Sequence, residues 1–454
     1  MLRRLSGSRF LRDSTTLQIG AMCLSAGNLA GLVALTHVLG ARQQGEFYLA
    51  IAIYSFLWFL LGLGIYPVAI NRVARATAKG DHESAAAWIA YLGKGTAILG
   101  VLTLAIAVFV LPPAARVWLG SDVSDPARIA RHAAILCAIP LVEVPRVMAL
   151  AALTGTRRMA SLARVENGQE ACRVLLVVVG ALVLGDARGP VLGMLAASVL
   201  GSCLGLEAWI REAAAGHLPG PLAAWRARRR LPWRAGIRDG VQMGLVRNID
   251  AYGVQILPAL ILGRFGSPQW VAYLRTAQRF TDVARMLMQG ISRTALPVLS
   301  ELRGVRSRRR LRGVYWRASL LSGLTVGTGM LAGLPFVPWL LELLLPNDYG
   351  GPVWRCLVIL VPGVLVVGFS VANDTFYLVT GTLRVGIAIS LIGLVVNTTV
   401  VSLLASSMPT VGVAYGLSFT FLSSLVHVGY AAWWFSRHVQ ADGEPDLRIA
   451  ETKN

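Results

Sequence analysis

Six polar side chains recur at helical spacing inside one apolar segment of the chain. They are Arg275, Arg279, Asp282, Arg285, Gln289 and Arg293. At about 100° per residue they lie on one face of a helix, within roughly 120° of arc. From the first to the last, the helix rises about 27 Å at ~1.5 Å per residue, close to the hydrocarbon thickness of a bilayer. Because charge facing lipid is costly, we expect this stripe to line a wet cavity and to suit an anionic cargo, above all a phosphate.

Other apolar segments carry ionisable pairs at a spacing of three residues, which places both members on one helix face. Arg247 with Asp250 and Glu143 with Arg146 either satisfy each other or belong to the same cavity, and Asp374 forms a bundle hydrogen bond or an ion-coupling site. We predict substrate binding by Arg275, Arg279, Arg285, Arg293, Arg247 and Arg146. We predict ion coupling or charge balance by Asp282, Asp250, Glu143 and Asp374.

The composition excludes an ordinary soluble domain. The 454 residues have a mean hydropathy of +0.61, a formal net charge of +20 and only 15% charged residues. The five cysteines lie in or beside apolar segments without paired spacing, so no metal site is expected. We find no phosphate-cradling glycine motif, zinc-protease motif or nucleophile elbow, so neither a cofactor nor enzymatic activity is expected. The arginines lie beside apolar segments, which favours membrane lipids over nucleic acid as partners.

Apolar periods predict an all-α integral membrane protein with about twelve transmembrane helices. The predicted segments are 15–39, 46–70, 86–111, 128–154, 162–184, 190–213, 237–262, 268–299, 314–341, 353–380, 384–405 and 410–435. Pro140 and Pro145 flank Glu143 and predict a bend in the fourth segment.

The connections between the predicted segments alternate between rich and poor in basic residues. Arginines cluster at the amino end and in the even-numbered connections, and the odd-numbered connections are poorer in them. This bias predicts that both termini are cytoplasmic. The longest connection, which is rich in arginine, divides the chain into two sets of six segments. The predicted parts are an N-terminal lobe (1–213), a basic linker (214–236), a C-terminal lobe (237–437) and a polar tail (438–454).

Short motifs at corresponding places add a family resemblance. Leu39-Gly40-Ala41-Arg42 stands near the end of the first segment and is followed by Gly45-Glu46-Phe47. The second segment contains Gly64 and Pro67-Val68-Ala69, and Ala295-Leu296-Pro297 lies near the end of the eighth. With the six-plus-six layout, these motifs resemble the Wzx-type oligosaccharide flippases of the multidrug/oligosaccharidyl-lipid/polysaccharide (MOP) exporter superfamily. The resemblance covers essentially the whole chain and implies a MATE-like fold of two six-helix lobes.

The resemblance also implies a cargo and a location. The expected cargo is a polyprenyl-diphosphate-linked oligosaccharide, moved across the bacterial inner membrane for synthesis of surface polysaccharide or exopolysaccharide. The polysaccharide polymerase and chain-length proteins of such a pathway are candidate partners. A drug or cation antiporter of the same superfamily is an alternative, although cationic cargo favours acidic cavities. A membrane polysaccharide polymerase or ligase is a further alternative. Such enzymes commonly need a large external loop to hold the acceptor, and the outer connections here are short.

Overall fold

The structure is a computed structural model that describes residues 26–62, 64–216, 218–226, 231, 233–282 and 308–439. Within these ranges the regular secondary structure is helical. The predicted stripe lies inside the described ranges as far as Asp282; Arg285, Gln289 and Arg293 fall outside them.

The N-terminal half and the long connection together contain eleven described helices. They are α1 (Ala26–Val38), α2 (Ala41–Gly62), α3 (Ile65–Ala78), α4 (His82–Phe109), α5 (Leu111–Trp118), α6 (Pro126–Leu136), α7 (Ile139–Val142), α8 (Val144–Gly155), α9 (Met159–Leu184), α10 (Arg188–Ala214) and α11 (Pro221–Trp225). Side-chain caps fix the N-termini of α4 and α6. Asp81 accepts a hydrogen bond from the Ser84 N–H, and Asp125 accepts one from the Arg128 N–H.

The C-terminal half continues the helical pattern. Its helices are α12 (Trp233–Ala251), a π-helix (Tyr252–Ile256), α13 (Leu257–Phe265), α14 (described over 268–282), α15 (Arg308–Gly333), α16 (Val337–Leu344), α17 (Asn347–Phe369), α18 (Asn373–Thr380), α19 (Leu383–Ser407), α20 (Gly412–Leu422) and α21 (Leu425–Val439). A short 3-10 turn joins α15 to α16.

Membrane-spanning helices dominate the described ranges. Eight helical stretches are long and apolar enough to cross a bilayer, and a ninth forms when α6–α7 and α8, bent by 46°, count as one span. This bend falls between Pro140 and Pro145, as predicted. Each of the twelve predicted segments overlaps a described helix. Exposed apolar side chains such as Val183 (74%) and Val395 (68%) need lipid around them, which confirms the prediction of a multi-pass membrane protein.

The connections at the two ends of the helix bundle differ in their arginine content. We call the end that holds the connections at 119–125 and 266–267 the arginine-poor end. The opposite end, with the connections at 79–81 and 156–158, is the arginine-rich end. At the arginine-rich end, Ser161 Oγ donates a hydrogen bond to Glu212 over 2.7 Å, within the N-terminal half.

The halves meet through backbone at the arginine-poor end. The Gly120 N–H donates to the Gly263 carbonyl over 3.0 Å. Arg264 Nη1 donates to the carbonyls of Val117 and Trp118, each over 3.2 Å. A Cβ built on Gly45 would lie 1.7 Å from the Pro268 carbonyl oxygen, so α2 and α14 touch where only glycine fits. We call Gly45, Val117, Trp118, Gly120, Gly263, Arg264 and Pro268 the seal.

The hydrophobic clusters differ in whether they join the two halves. The largest buried cluster joins both halves and includes Leu49, Leu136, Leu262 and Leu360. Among the described residues, three further clusters lie towards the arginine-rich end: two are built on the N-terminal half, the larger of them around Trp209, and the third is made from the C-terminal half alone. Contacts also join the halves at this end, where Arg72 forms an ion pair with Asp239. The halves therefore pack against each other at both ends of the described bundle.

Candidate functional site

A cavity lies between the halves, below the seal. About 200 Å³ of it is open to the centre of a water molecule. Its walls come from α1, α2, α9 and α10 on one side and from the π-helix and α14 on the other, with Phe421 of α20. The polar side chains that line it are Asn28, Tyr48, Ser55, Arg173, Gln255, Arg275, Gln278, Arg279, Thr281 and Asp282. Apolar side chains, including Leu32, Phe47, Ile51 and Val177, complete the wall.

Arg275 and Gln278 connect α14 to the π-helix. The Arg275 guanidinium donates through Nη2 to the Gln255 carbonyl and through Nη1 to Gln278 Oε1 over 3.3 Å. Gln278 Nε2 donates to the Val254 carbonyl over 3.0 Å. Backbone carbonyls are ordinary partners for arginine within membranes, because they neutralise part of its desolvation cost. Both side chains are thereby held at the cavity wall.

Arg279 and Asp282 lie one turn further along α14. Arg279 Nη1 is 3.7 Å from Asp282 Oδ2, at the i,i+3 spacing that the sequence indicates. The Arg279 side chain is half exposed, so its guanidinium faces the cavity and not a tightly packed partner. A half-exposed arginine keeps donors available for an anion.

Arg173 is a cavity residue that the sequence analysis missed. It forms an ion pair with Glu170, and its Nη2 donates to Asn28 Oδ1 over 2.8 Å. Asn28 Nδ2 in turn donates to Glu170 Oε1 over 2.8 Å. These contacts join α1 to α9 and present Arg173 across the cavity from α14. Glu170 and Arg173 lie near the start of the fifth predicted segment, where the sequence favours the cytoplasmic membrane interface, so position relative to α1 was the missing signal.

The described lining has an excess of positive charge. Arg173, Arg275 and Arg279 line the cavity, whereas Asp282 is the carboxylate among the described lining residues. Glu170 offsets Arg173 from behind. Because membrane helices surround the cavity, a guanidinium attracts an anion more strongly here than on a soluble surface. The cavity can therefore hold an anionic group between its two sides.

Glu143 and Arg146 lie elsewhere, within the N-terminal half. Arg146 Nη2 donates to Glu143 Oε2 over 2.6 Å. The other carboxylate oxygen accepts from Gln169 Nε2 over 2.8 Å and from Ser198 Oγ over 3.0 Å. Neither member is among the residues that line the cavity. The pair cross-links the bent α7–α8 segment to α9 and α10, which is the structural alternative that the sequence left open.

The remaining predicted residues are placed only in part. Arg247 and Asp250 lie on α12 and Asp374 lies on α18, and their side chains are outside the described ones. Arg285 and Arg293 fall outside the described residues altogether. Of the predicted set, the structure brings Arg275, Arg279 and Asp282 together at the cavity.

The Glu143 cluster makes a direct prediction for stability. Replacing Glu143 with alanine leaves Arg146, Gln169 and Ser198 without their shared acceptor, and we expect a loss on the order of 3 kcal/mol. Thermal unfolding of the purified protein measures it. Glu207→Ala is the matched control, because Glu207 pairs with Arg211 at an exposed position; its effect should stay below about 1 kcal/mol. Equal stability of the two variants would contradict the structural role.

Two profiles of known protein families match this chain. The profile of the family described as polysaccharide biosynthesis protein matches residues 15–303, and the MatE profile matches residues 245–404. A search of curated proteins finds no match.

Solved structures of transporters share the fold. An inward-facing multidrug resistance MATE family transporter of the MOP superfamily gives a TM-score of 0.73 at 16% identity, covering 93% of this chain and 96% of that one. The lipid II flippase MurJ, in an inward closed conformation, gives 0.72 at 11% identity, covering 92% and 87%. An outward-facing multidrug resistance MATE family transporter gives 0.60 at 17% identity, covering 95% of each.

The first profile spans more than half of the chain, and the described helices reproduce the MATE-like arrangement. The chain therefore belongs to the polysaccharide biosynthesis protein family, as a multi-pass membrane protein with a MATE-like fold.

Proposed function

We propose that the protein is a flippase for a polyprenyl-diphosphate-linked oligosaccharide. The observation that carries this proposal is the positive excess of a cavity enclosed by membrane helices from both halves. A diphosphate needs cations, and Arg275 and Arg279 supply them from α14 while Arg173 faces them from α9. Membership in the polysaccharide biosynthesis protein family supports a sugar cargo.

The rest of the lining suits the other parts of such a cargo. Asn28, Ser55 and Gln255 offer hydrogen bonds to sugar hydroxyls, and Tyr48 and Phe59 offer aromatic surface. The wall is otherwise apolar, which suits the first isoprene units of the lipid tail. Asp282 limits the affinity for the diphosphate by repulsion, so that the cargo can leave the site.

Transport then proceeds by alternating access of the two lobes. We assign the arginine-rich end to the cytoplasm, since basic connections favour that side. We propose that cargo enters from the cytoplasmic leaflet while the seal is closed. The seal must part before the cargo leaves on the other side.

Deleting the gene tests the function in the cell. We expect polyprenyl-diphosphate oligosaccharide to accumulate in extracted lipids and surface polymer to be lost, since synthesis continues on the cytoplasmic face without translocation. Mass spectrometry of the lipids measures the intermediate and gives its sugar composition. Complementation with the wild-type gene is the control.

Unchanged lipid intermediates and unchanged polymer, in a strain without a redundant flippase, would contradict the proposal. Cation-stimulated export of lipophilic cations by the reconstituted protein would then favour the antiporter alternative.

A further inference from the structure

The π-helix at the cavity wall has a cause in the sequence. Pro258 has no N–H, so in a regular α-helix the Val254 carbonyl would lose its donor and would clash with the proline ring. The backbone instead widens into a π-helix over Tyr252–Ile256, directly before α13. A single π-helical turn inside a long helix is a place where the helix bends.

Two side chains of α14 donate hydrogen bonds to carbonyls of this turn. Gln278 Nε2 donates to the Val254 carbonyl over 3.0 Å, and Arg275 donates to the Gln255 carbonyl. Arg275 also donates to Gln278 Oε1 over 3.3 Å, so the two side chains hold each other in place. The turn is fixed by α14 in addition to the backbone hydrogen bonds of its own helix.

Arg275 thus has two competing partners. It donates to a neutral carbonyl now, and it lines the cavity that we propose binds a diphosphate. A hydrogen bond between a guanidinium and a phosphate is stronger than one between a guanidinium and a neutral carbonyl, because both groups are charged. Cargo in the cavity therefore draws Arg275 away from Gln255.

The same turn is connected to the seal by one short helix. α13 runs from Leu257 to Phe265 and carries Gly263 and Arg264, which contact Gly120, Val117 and Trp118. From Gln255 to Arg264 the helix rises about 14 Å at ~1.5 Å per residue, and a bend of about 10° at the turn would move Arg264 by about 2 Å. That displacement exceeds what hydrogen bonds of 3.0–3.2 Å tolerate.

We infer that the π-helix Tyr252–Ile256 couples occupancy of the cavity to opening of the seal, with Gln278 as its positioning residue. The inference rests on the proposed function, because it needs a diphosphate as the group that Arg275 exchanges for the Gln255 carbonyl. Cargo binding releases the turn, α13 pivots, and the contacts of Gly263 and Arg264 with the N-terminal half are lost. An empty cavity keeps the turn fixed and the seal closed.

The Gly120 amide reports on the seal directly, since its hydrogen is donated to the Gly263 carbonyl. We would follow hydrogen–deuterium exchange of the full-length protein in nanodiscs, with geranylgeranyl diphosphate as the probe and its binding measured separately by calorimetry. On probe binding we expect exchange in the peptide containing Gly120 to accelerate about fivefold or more. Exchange across 252–258 should rise with it.

Gln278→Leu tests the positioning residue. We expect this variant to exchange rapidly at Gly120 without the probe and to bind the probe with no further acceleration. Thr399→Val is the control, because Thr399 donates only to the Val395 carbonyl of its own helix, at an exposed position; it should respond to the probe as the wild type does.

The outcomes separate the two proposals. Binding of the probe to the wild type with unchanged exchange at Gly120 would overturn the coupling and leave the proposed function standing. Failure of the wild type to bind the probe would overturn both. A Gln278→Leu variant that responds to the probe like the wild type would overturn the role of Gln278.

Discussion

Transport of a diphosphate-linked lipid is expected to be abolished when Arg275 and Arg279 are both replaced with alanine. The change removes two of the three described arginines that line the cavity. Each hydrogen bond to a charged group contributes about 1.5–3 kcal/mol. Losing two therefore weakens capture of the diphosphate by about 100-fold or more. Flipping of a fluorescent polyprenyl diphosphate in proteoliposomes measures the effect.

The controls distinguish loss of the site from loss of the protein. Arg211→Ala removes an exposed arginine that pairs with Glu207 outside the cavity, and it should transport as the wild type does. Lysine at positions 275 and 279 keeps the charge but loses the planar, two-pronged donor geometry, so partial activity is expected. Wild-type flipping by the double alanine variant, inserted at a normal level, would exclude the diphosphate-binding role.

The second large effect is expected from one methyl group at the seal. In Gly45→Ala the new Cβ would lie 1.7 Å from the Pro268 carbonyl oxygen, so α2 and α14 must move apart. Overpacking of this kind costs about 1–3 kcal/mol, which shifts the equilibrium between closed and open seal by about 5- to 150-fold. We expect faster amide exchange at Gly120 without any ligand, and impaired flipping.

A neighbouring glycine provides the matched comparison. A Cβ built on Gly40 meets nothing within 4 Å, so Gly40→Ala adds the same methyl group, five residues away, without the clash. Gly40→Ala should keep the exchange rate of the wild type at Gly120. If Gly45→Ala and Gly40→Ala exchange at the same rate, the contact between α2 and α14 does not hold the seal closed.

Much of the architecture follows from local sequence. Long apolar periods predict the membrane helices because a helix satisfies its own backbone hydrogen bonds in lipid. Pro140 and Pro145 predict the bend in the fourth segment, which the structure confirms at 46°. The spacing of Arg275, Arg279 and Asp282 predicts one shared helix face, and these three residues lie together at the cavity. Such features depend only on neighbours within a turn or two.

Other features required contacts between distant parts of the chain. Glu170 with Arg173 and Glu143 with Arg146 have the same i,i+3 spacing, yet one pair borders the cavity and the other cross-links helices within the N-terminal half. The spacing cannot separate them, because the difference lies in which helices pack beside each pair. Asn28, 142 residues before Glu170, marks the first pair as part of the cavity wall.

The sequence by itself determined where the helices lie, which segment bends at proline and which arginines share a face, since these depend on covalent geometry and the cost of burying charge in lipid. Only the tertiary structure decided that Gly45 meets Pro268 and that Gln278 donates to the Val254 carbonyl, four residues before Pro258. Both are set by the packing of one helix against another, where a displacement of one ångström changes which atoms touch.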